Sequence, residues 1–329
     1  MTDQPQPSPA LSAPLATRLR QWLWRVARLI VAAYFGIVLL LWSFQRTLLY
    51  HPLKATTIER SATGLSDSDV EEVTVTARDG VALHGWLART AATGMAATAS
   101  SPGEASVRET VRSSDAPVVI YFQGNAGNRR TNGDIVGELA SYGCHVLYFD
   151  HRGFGLNAGY PTEADLLADG RTIWIFATGE LGIPSDHLYL FGESLGGGIA
   201  TGVAQGLCRD GLKPPAGLIL GATFSSVRRV AQDLYPFVPV RWMVSDPFLS
   251  DVRMADVTCP VLQFHGTADS IVPFPIGREL HAAIPAASRS GVPKRFVEIP
   301  DWDHFGIPAA VLRGELSEFI ARVQSASSR

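Results

Sequence analysis

The chain has 329 residues, of which 46% are hydrophobic and 18% charged, so it can bury one large hydrophobic core. Its formal net charge of −3 gives no electrostatic reason to expect a nucleic-acid partner, because phosphate binding needs a concentrated basic surface. The three cysteines, Cys144, Cys208 and Cys259, lack the paired spacing of a zinc site or redox motif and are interpreted as small buried apolar residues.

The N-terminal part of the chain combines a proline-rich stretch with an uncharged apolar run. Residues 1–17 carry four prolines and little apolar content, and we predict a disordered, basic tail over 1–25. No residue from Leu29 to Phe44 is charged, and the run is long enough at the helical rise to cross the hydrocarbon core of a bilayer. The sequence therefore predicts a transmembrane anchor over 26–45, followed by a linker over 46–67.

Charged and aromatic residues flank this run and bear on its orientation. Three tryptophans stand where interfacial aromatics are found: Trp22, Trp24 and Trp42. Four arginines crowd its N-terminal side: Arg18, Arg20, Arg25 and Arg28. We therefore predict a single-pass membrane protein with a cytoplasmic N-terminus and the folded domain on the opposite side. The bias is weak, because Arg46, Lys54 and Arg60 follow the run; a cleaved signal peptide and a buried core helix are the alternatives.

The remainder, 68–329, is predicted to form one α/β domain. Two strand-like runs, 70–77 and 81–88, surround an Asp-Gly pair that favours a hairpin turn, and 90–117 has the composition of a flexible insertion. Short apolar runs then alternate with helix-length segments, at 117–122, 144–150, 187–192, 216–221, 259–266 and 294–300. This alternation predicts a mainly parallel sheet with helices on both faces, and ligand chemistry at the carboxyl ends of its strands.

The pentapeptide GESLG at 192–196 lies between a predicted strand and a helix-compatible run. It fits the GxSxG nucleophile elbow, in which a sharp turn lifts the serine hydroxyl out of the sheet and leaves no room for bulky neighbours. A plain glycine-rich turn is the alternative. We predict Ser194 as the nucleophile of a serine hydrolase.

A serine nucleophile needs a histidine base and an orienting acid, in the chain order Ser, Asp, His for this kind of sheet. His304 and Asp269 each follow a predicted strand beyond Ser194, whereas His265 lies within its strand and His281 within a predicted helix. Four other carboxylates compete for the role of the acid: Asp251, Asp256, Asp301 and Asp303. We favour Asp269 because it alone follows the strand before His304 on a loop that can present it.

Acyl transfer also needs hydrogen-bond donors for the oxyanion. The backbone amide directly after the nucleophile, at Leu195, is the first candidate. The loop QGNAGN at 123–128 supplies the second, for which we predict the amide of Asn125, although a simple glycine turn would have the same composition.

The segment DHRGFG at 150–155 precedes the serine and is interpreted as a polar network that braces the site. Residues 222–256 are either core packing or a short lid.

These motifs resemble the α/β-hydrolase superfamily over about residues 68–326. The N-terminal anchor, QRTLLYHP at 45–52, FQGNAGN, DHRGFG, GESLGG and HGTADSIVP resemble its membrane-anchored α/β-hydrolase domain-containing group, which includes lysophospholipid lipases, protein depalmitoylases and uncharacterised bacterial members. The resemblance implies a triad of Ser194, Asp269 and His304 with oxyanion amides at Asn125 and Leu195. One position departs: Gln123 stands where the group often has histidine, so the side-chain bracing of this loop should differ.

The function that these residues imply is hydrolysis of carboxylic esters or thioesters of lipid-like acyl substrates, through an acyl-enzyme and without a metal or organic cofactor. The expected partners are a small acyl substrate and a membrane. A serine peptidase of the same fold and a non-catalytic membrane scaffold are the alternatives. The sequence leaves acyl length, head group and oligomeric state open.

Overall fold

A computed structural model of the chain describes residues 15–90 and 106–327. The chain forms two compact units, Met1–Gln45 and Arg46–Arg329. The described part of the first unit belongs to helix α1 (Leu15–Leu49), whose most apolar window has a mean hydropathy of 2.1, so the helix is long and apolar enough to cross a membrane. Its large apolar side chains are exposed.

The predicted tail over 1–25 needs a correction, because residues 15–25 are helical. The four prolines that suggested disorder all lie at or before Pro14, and the residues that follow are mainly Leu, Arg, Trp and Ala, which a helix accepts. Residues 1–14 of the predicted tail lie outside the described residues.

The second unit is built on an eight-stranded sheet with the order β10-β9-β8-β7-β4-β6-β3-β2. Its strands are β2 (Val70–Thr76), β3 (Ala82–Ala88), β4 (Val118–Phe122), β6 (His145–Phe149), β7 (Leu188–Glu193), β8 (Gly217–Gly221), β9 (Val261–Gly266) and β10 (Arg295–Ile299). All neighbours from β6 through β4 to β10 are parallel, and only β2 and β3 run antiparallel to theirs. The predicted mainly parallel sheet is confirmed.

Helices cover both faces of the sheet. They are α2 (Val107–Ser113), α3 (Asp134–Ser141), α4 (Glu163–Ile175), α5 (Leu195–Arg209), α6 (Val227–Leu234), α7 (Ser250–Arg253), α8 (Phe274–Ala283) and α9 (Ala309–Ser327). Shorter 3₁₀ turns span Arg60–Thr63, Asp67–Asp69, Ser185–His187, Val240–Trp242 and Met254–Asp256, and a π-helical turn spans Phe176–Glu180.

Two hydrophobic clusters, one on each face of the sheet, form the core. Neighbouring residues of one strand belong to different clusters, as Leu190 and Phe191 of β7 do, because successive side chains of a strand point to opposite faces. Ile199 of α5 packs in the first cluster and Leu316 of α9 in the second. The strands are therefore buried on both sides, which explains their unbroken apolar runs.

The predicted flexible insertion over 90–117 is wrong for residues 107–113, which form α2. Ser106 caps this helix by accepting a hydrogen bond from the amide of Glu109, and the capping pattern Ser-x-x-Glu is visible in the sequence. Val107 and Val111 lie one helical turn apart and are buried in the core. Residues 91–105 of the predicted insertion lie outside the described residues.

The predicted linker over 46–67 is also ordered, and it belongs to the second unit. Strand β1 (His51–Pro52) pairs in parallel with β5 (Ala126–Gly127), a two-residue strand that follows β4. Tyr50 is buried in the core of this unit. Local pattern did not reveal these short strands, since two residues carry no period.

Candidate active site

Ser194 occupies the sharp turn between β7 and α5. Its backbone adopts φ 50° and ψ −115°, a conformation that a residue with a side chain rarely takes and that costs about 1–3 kcal/mol. The amide of Ser194 donates to the carbonyl of Gly221 at 2.8 Å, and the Thr223 hydroxyl donates to the carbonyl of Ser194 at 2.7 Å. Bonds from the end of the neighbouring strand therefore hold the strained turn.

The two glycines of the pentapeptide are required by close backbone contacts. A Cβ at Gly192 would lie 2.2 Å from the carbonyl oxygen of Gly196, and one at Gly196 would lie 1.9 Å from the carbonyl oxygen of Phe122. Neither contact is possible between real atoms, and both opposing atoms are backbone. The start of α5 thus packs against the end of β4, which brings the loop after β4 towards Ser194.

His304 and Asp269 meet on the loops that follow β10 and β9. The His304 Nδ1 lies 3.0 Å and 2.9 Å from the two carboxylate oxygens of Asp269, and both side chains are buried. Because the carboxylate only accepts, Nδ1 carries the proton and Nε2 is left as the acceptor. This is the tautomer that a general base requires.

Asp269 is held by further donors. Its Oδ1 accepts from the amides of Ile271 at 2.9 Å and Val272 at 2.8 Å. On the other side, His265 Nε2 lies 3.3 Å from Oδ2 and donates to the carbonyl of Val272 at 2.8 Å. Burial lowers the pKa of His265, which favours the neutral imidazole, and its bond to the Val272 carbonyl holds the loop that carries Asp269. The sequence placed His265 only within its strand and did not reveal this role.

The loops that carry the acid and the histidine are packed against each other. A Cβ at Gly266 would lie 2.1 Å from the carbonyl oxygen of Trp302, and the amide of Ala268 donates to that carbonyl at 3.1 Å. The indole of Trp302 in turn donates to the carbonyls of Phe305 and Gly306. This packing fixes the separation of His304 from Asp269.

Ser194 and His304 line one cleft, which has a volume of about 220 Å³. Its other lining residues are Tyr121, Gly124, Asn125, Ala126, Gly127, Asn132, Glu193, Ala222, Phe305 and Gly306. Within 15–90 and 106–327, no hydrogen bond joins the Ser194 hydroxyl to the His304 imidazole. Such bonds are often long in free enzymes and tighten when substrate binds.

Of the two predicted oxyanion residues, Asn125 lines the same cleft and Leu195 directly follows Ser194. Leu195 is the first residue of α5, so its amide is one of the unpaired donors at the positive end of a 15-residue helix. Asn125 lies in the loop after β4, and in the same loop a Cβ at Gly124 would lie 3.7 Å from the Cβ of Ser194. The structure thus places Ser194, His304 and Asn125 on one cleft, with Leu195 next to Ser194 in the chain and Asp269 bound to His304.

Gln123, the position that departs from the family pattern, is fully buried and braces this loop. Its side-chain oxygen accepts from the Tyr148 hydroxyl at 2.5 Å and from the Asn132 amide at 2.9 Å. His151 Nε2 donates to the backbone carbonyl of Gln123 at 3.0 Å, and burial lowers the pKa of His151 to about 4, which keeps the ring neutral. Tyrosine and asparagine donors therefore fix the side chain at this position.

In the segment 150–155, Asp150 and Arg152 form two separate sets of ion pairs. Asp150 accepts from both the backbone and the guanidinium of Arg129, while Arg152 pairs with Asp169 at 2.6 Å and with Asp79 at 2.7 Å. The Asp150–Arg129 pair joins the loops after β4 and β6, whereas Arg152 ties the loop after β6 to α4 and to the β2–β3 turn.

Glu193, next to Ser194 in the chain, is a feature that the sequence did not explain. Its half-buried side chain lines the cleft and accepts a hydrogen bond from the Tyr121 hydroxyl. Burial raises the pKa of the Glu193 carboxyl.

The remaining acid candidates and the candidate lid lie elsewhere. Asp303 accepts from the amide and hydroxyl of Ser270, a position that supports the acid loop. In the segment 222–256, Phe224 and Phe248 pack edge to face in the core, and Ala222 is the only described residue of the segment that lines the cleft.

A doubly covered parallel sheet with a serine at a strand-to-helix elbow defines an α/β-hydrolase. A family model described as serine aminopeptidase, S33, matches residues 113–247. The chain is 32% identical over 279 residues to an uncharacterised protein of Mycobacterium tuberculosis, covering 85% of this chain and 87% of that one. It therefore belongs to the α/β-hydrolase family, and it is a serine hydrolase of the esterase and lipase type.

Two further comparisons are informative. The chain is 34% identical over 199 residues to the lysophosphatidylserine lipase of Rattus norvegicus, covering 55% of this chain and 48% of the lipase. The match thus spans about half of that relative. An esterase from Pyrococcus furiosus superposes with a TM-score of 0.53 at 17% identity, covering 85% of this chain and 98% of the esterase, a likeness of fold alone.

Proposed function

We propose that the protein hydrolyses carboxylic esters or thioesters of lipid-like acyl groups, with Ser194, His304 and Asp269 as nucleophile, base and acid. The observation that carries the proposal is a strained serine sharing one cleft with a histidine whose Nδ1 binds a buried aspartate. Such a histidine has its Nε2 lone pair available for the serine proton.

In the proposed reaction, His304 Nε2 takes the proton of Ser194 while Oγ attacks the carbonyl carbon. The amides of Asn125 and Leu195 stabilise the negative charge that develops on the carbonyl oxygen. The tetrahedral intermediate collapses, His304 protonates the departing alcohol or thiol, and an acyl-serine remains. Water, deprotonated by His304, then releases the carboxylic acid and regenerates the serine.

A lipid-like substrate is supported by two observations. The relative that shares half its length with this chain is named a lysophosphatidylserine lipase, and helix α1 is apolar enough to cross a bilayer. We propose that α1 crosses the membrane with its N-terminus in the cytoplasm and the hydrolase unit on the other side, following the arginines that precede the apolar run.

The test uses the full chain in detergent micelles with a fluorophosphonate probe, which reacts with activated serines. We expect stoichiometric labelling of the wild type, no labelling of Ser194→Ala, and a fall in ester kcat of about 10⁵- to 10⁶-fold in that variant. Equal melting temperatures would show that the fold is retained. A folded wild type that does not react, or a variant that still reacts, would contradict the proposal.

Peptide hydrolysis is the second candidate, favoured by the matching family model described as serine aminopeptidase. The probe does not distinguish it, because peptidases of this fold use the same triad. Parallel kcat/KM values for a p-nitrophenyl ester, an acyl thioester and an aminoacyl p-nitroanilide on titrated enzyme separate the two. A higher kcat/KM for the anilide than for the ester and the thioester would identify the protein as a peptidase.

A further inference from the structure

We propose that residues 49–54, here called the exit segment because they end and follow helix α1, position the Asn125 amide in the oxyanion hole. This inference rests on the proposed function. The exit segment was expected to be part of a linker, yet it is hydrogen-bonded along its length to the loop 123–128.

The amide of Asn125 belongs to the peptide group between Gly124 and Asn125. The peptide group before it is held by His151, which donates to the carbonyl of Gln123 at 3.0 Å. The peptide group after it is held by the exit segment, because the amide of His51 donates to the carbonyl of Asn125 at 2.8 Å. With both neighbouring peptide groups held, the planar group that carries the Asn125 N–H can reorient only by a flip of its whole plane, which restricts the direction of this N–H.

Further bonds tie the exit segment to this loop. The Asn125 side-chain amide donates to the carbonyl of Leu49 at 2.8 Å, and the Asn128 side-chain amide donates to that of Leu53 at 2.9 Å. The amide of Leu53 also donates to the carbonyl of Gly127 at 3.2 Å. These bonds come from both sides of the β1–β5 pair, so the contact has a defined register.

The exit segment is itself anchored on its far side. The amide of Gly155 donates to the carbonyl of Leu53 at 3.0 Å, and Lys54 Nζ donates to the carbonyl of Asn157 at 2.8 Å. Arg46, just before the segment, pairs with the buried Asp246 at 2.9 Å. A support fixed at both ends can hold the loop, because an oxyanion donor is effective only when its direction is set before the charge develops.

His51→Pro tests the inference in the full chain, since proline removes the donating N–H while the side chain of His51 is exposed. His51→Ala is the matched control, because it removes the side chain and keeps the N–H. On a soluble short-chain ester we expect kcat of His51→Pro to fall about tenfold with KM nearly unchanged. This loss is smaller than the roughly 10²- to 10³-fold fall in kcat caused by removing an oxyanion donor, because the Asn125 amide is still present. His51→Ala should match the wild type.

Asn125→Ala is the second variant, for the case that proline at position 51 prevents folding. It deletes the bond to Leu49 and keeps the backbone amide. We again expect a lower kcat at an unchanged KM and melting temperature, with rates normalised to fluorophosphonate-titrated sites. A merely structural role would lower the melting temperature or the titrated fraction, and the kcat per titrated site would be unchanged.

Wild-type kcat per titrated site in both His51→Pro and Asn125→Ala would overturn the inference. If His51→Pro does not fold, Asn125→Ala alone decides. Failure of the proposed function is distinguishable, because the wild type itself would then neither be titrated by the probe nor hydrolyse the ester.

Discussion

At the scale of single residues, the chemistry depends on which carboxylate orients His304. Asp269 contacts the imidazole with both oxygens and is itself fixed by two backbone amides. Asp303 directly precedes His304 in the chain, yet its carboxylate accepts from Ser270. Proximity in sequence is therefore a poor guide to the acid.

Replacing each carboxylate by its amide tests whether Asp269 or Asp303 orients His304. Asp269→Asn should lower kcat about 10³- to 10⁴-fold, because the amide NH₂ cannot accept from Nδ1 and favours the wrong histidine tautomer. Asp303→Asn keeps an oxygen to accept from Ser270 and should stay close to the wild-type kcat. Steady-state ester hydrolysis on titrated enzyme measures both, and a large loss in the Asp303 variant alone would reassign the acid.

At the scale of elements, helix α5 contains glycines with opposite roles. Gly196 approaches the end of β4 so closely that no side chain fits, whereas a Cβ at Gly206 would lie 3.9 Å from the guanidinium of Arg171, an ordinary contact. The first glycine is set by tertiary contact. The second only adds backbone freedom to the interior of a helix.

Alanine at these two positions should therefore shift stability in opposite directions. We expect Gly206→Ala to raise the free energy of unfolding by about 0.5–1 kcal/mol through helix propensity. Gly196→Ala should lower it by several kcal/mol, on the order of a severe overpacking, and abolish probe labelling. Urea denaturation followed by circular dichroism measures both; a Gly196 variant as stable as the wild type would show that β4 and α5 can separate.

The strands of the sheet were predicted to within a few residues, because each central strand is buried on both faces and thus apolar throughout. The two-residue strands were not found. Strand β1 has two exposed residues, and its partner β5 lies far along the chain, so neither carries a local pattern. Helix α2 was hidden by the Ala- and Ser-rich composition around it, although its cap and its two buried valines were present in the sequence.

At the scale of the whole molecule, the hydrolase unit begins earlier than predicted, because Tyr50, directly after α1, is already buried in its core. Sequence reasoning put the start of the folded domain at 68, whereas the compact unit begins at Arg46. Within the motif at 45–52, Leu49 and His51 hydrogen-bond to Asn125.

The full chain should behave as an integral membrane protein. About 20 apolar residues in a helix hold it in the bilayer, so we expect retention in the membrane pellet after alkaline carbonate and release only by detergent. Mass spectrometry of the mature N-terminus is the control. A mature chain beginning after Phe44, or release by carbonate, would identify the apolar helix as a cleaved signal.

The sequence by itself determined the sheet, the apolar helix and the residue types of the site, because burial on both faces of a strand and the steric demands of an elbow leave local signatures. Only the tertiary structure decided which donors hold Asp269, which side chains fix Gln123, and that residues 49–54 are hydrogen-bonded to the loop 123–128. Those interactions join atoms far apart in the chain, mostly through backbone groups that every residue shares, and such contacts leave no trace in the local pattern.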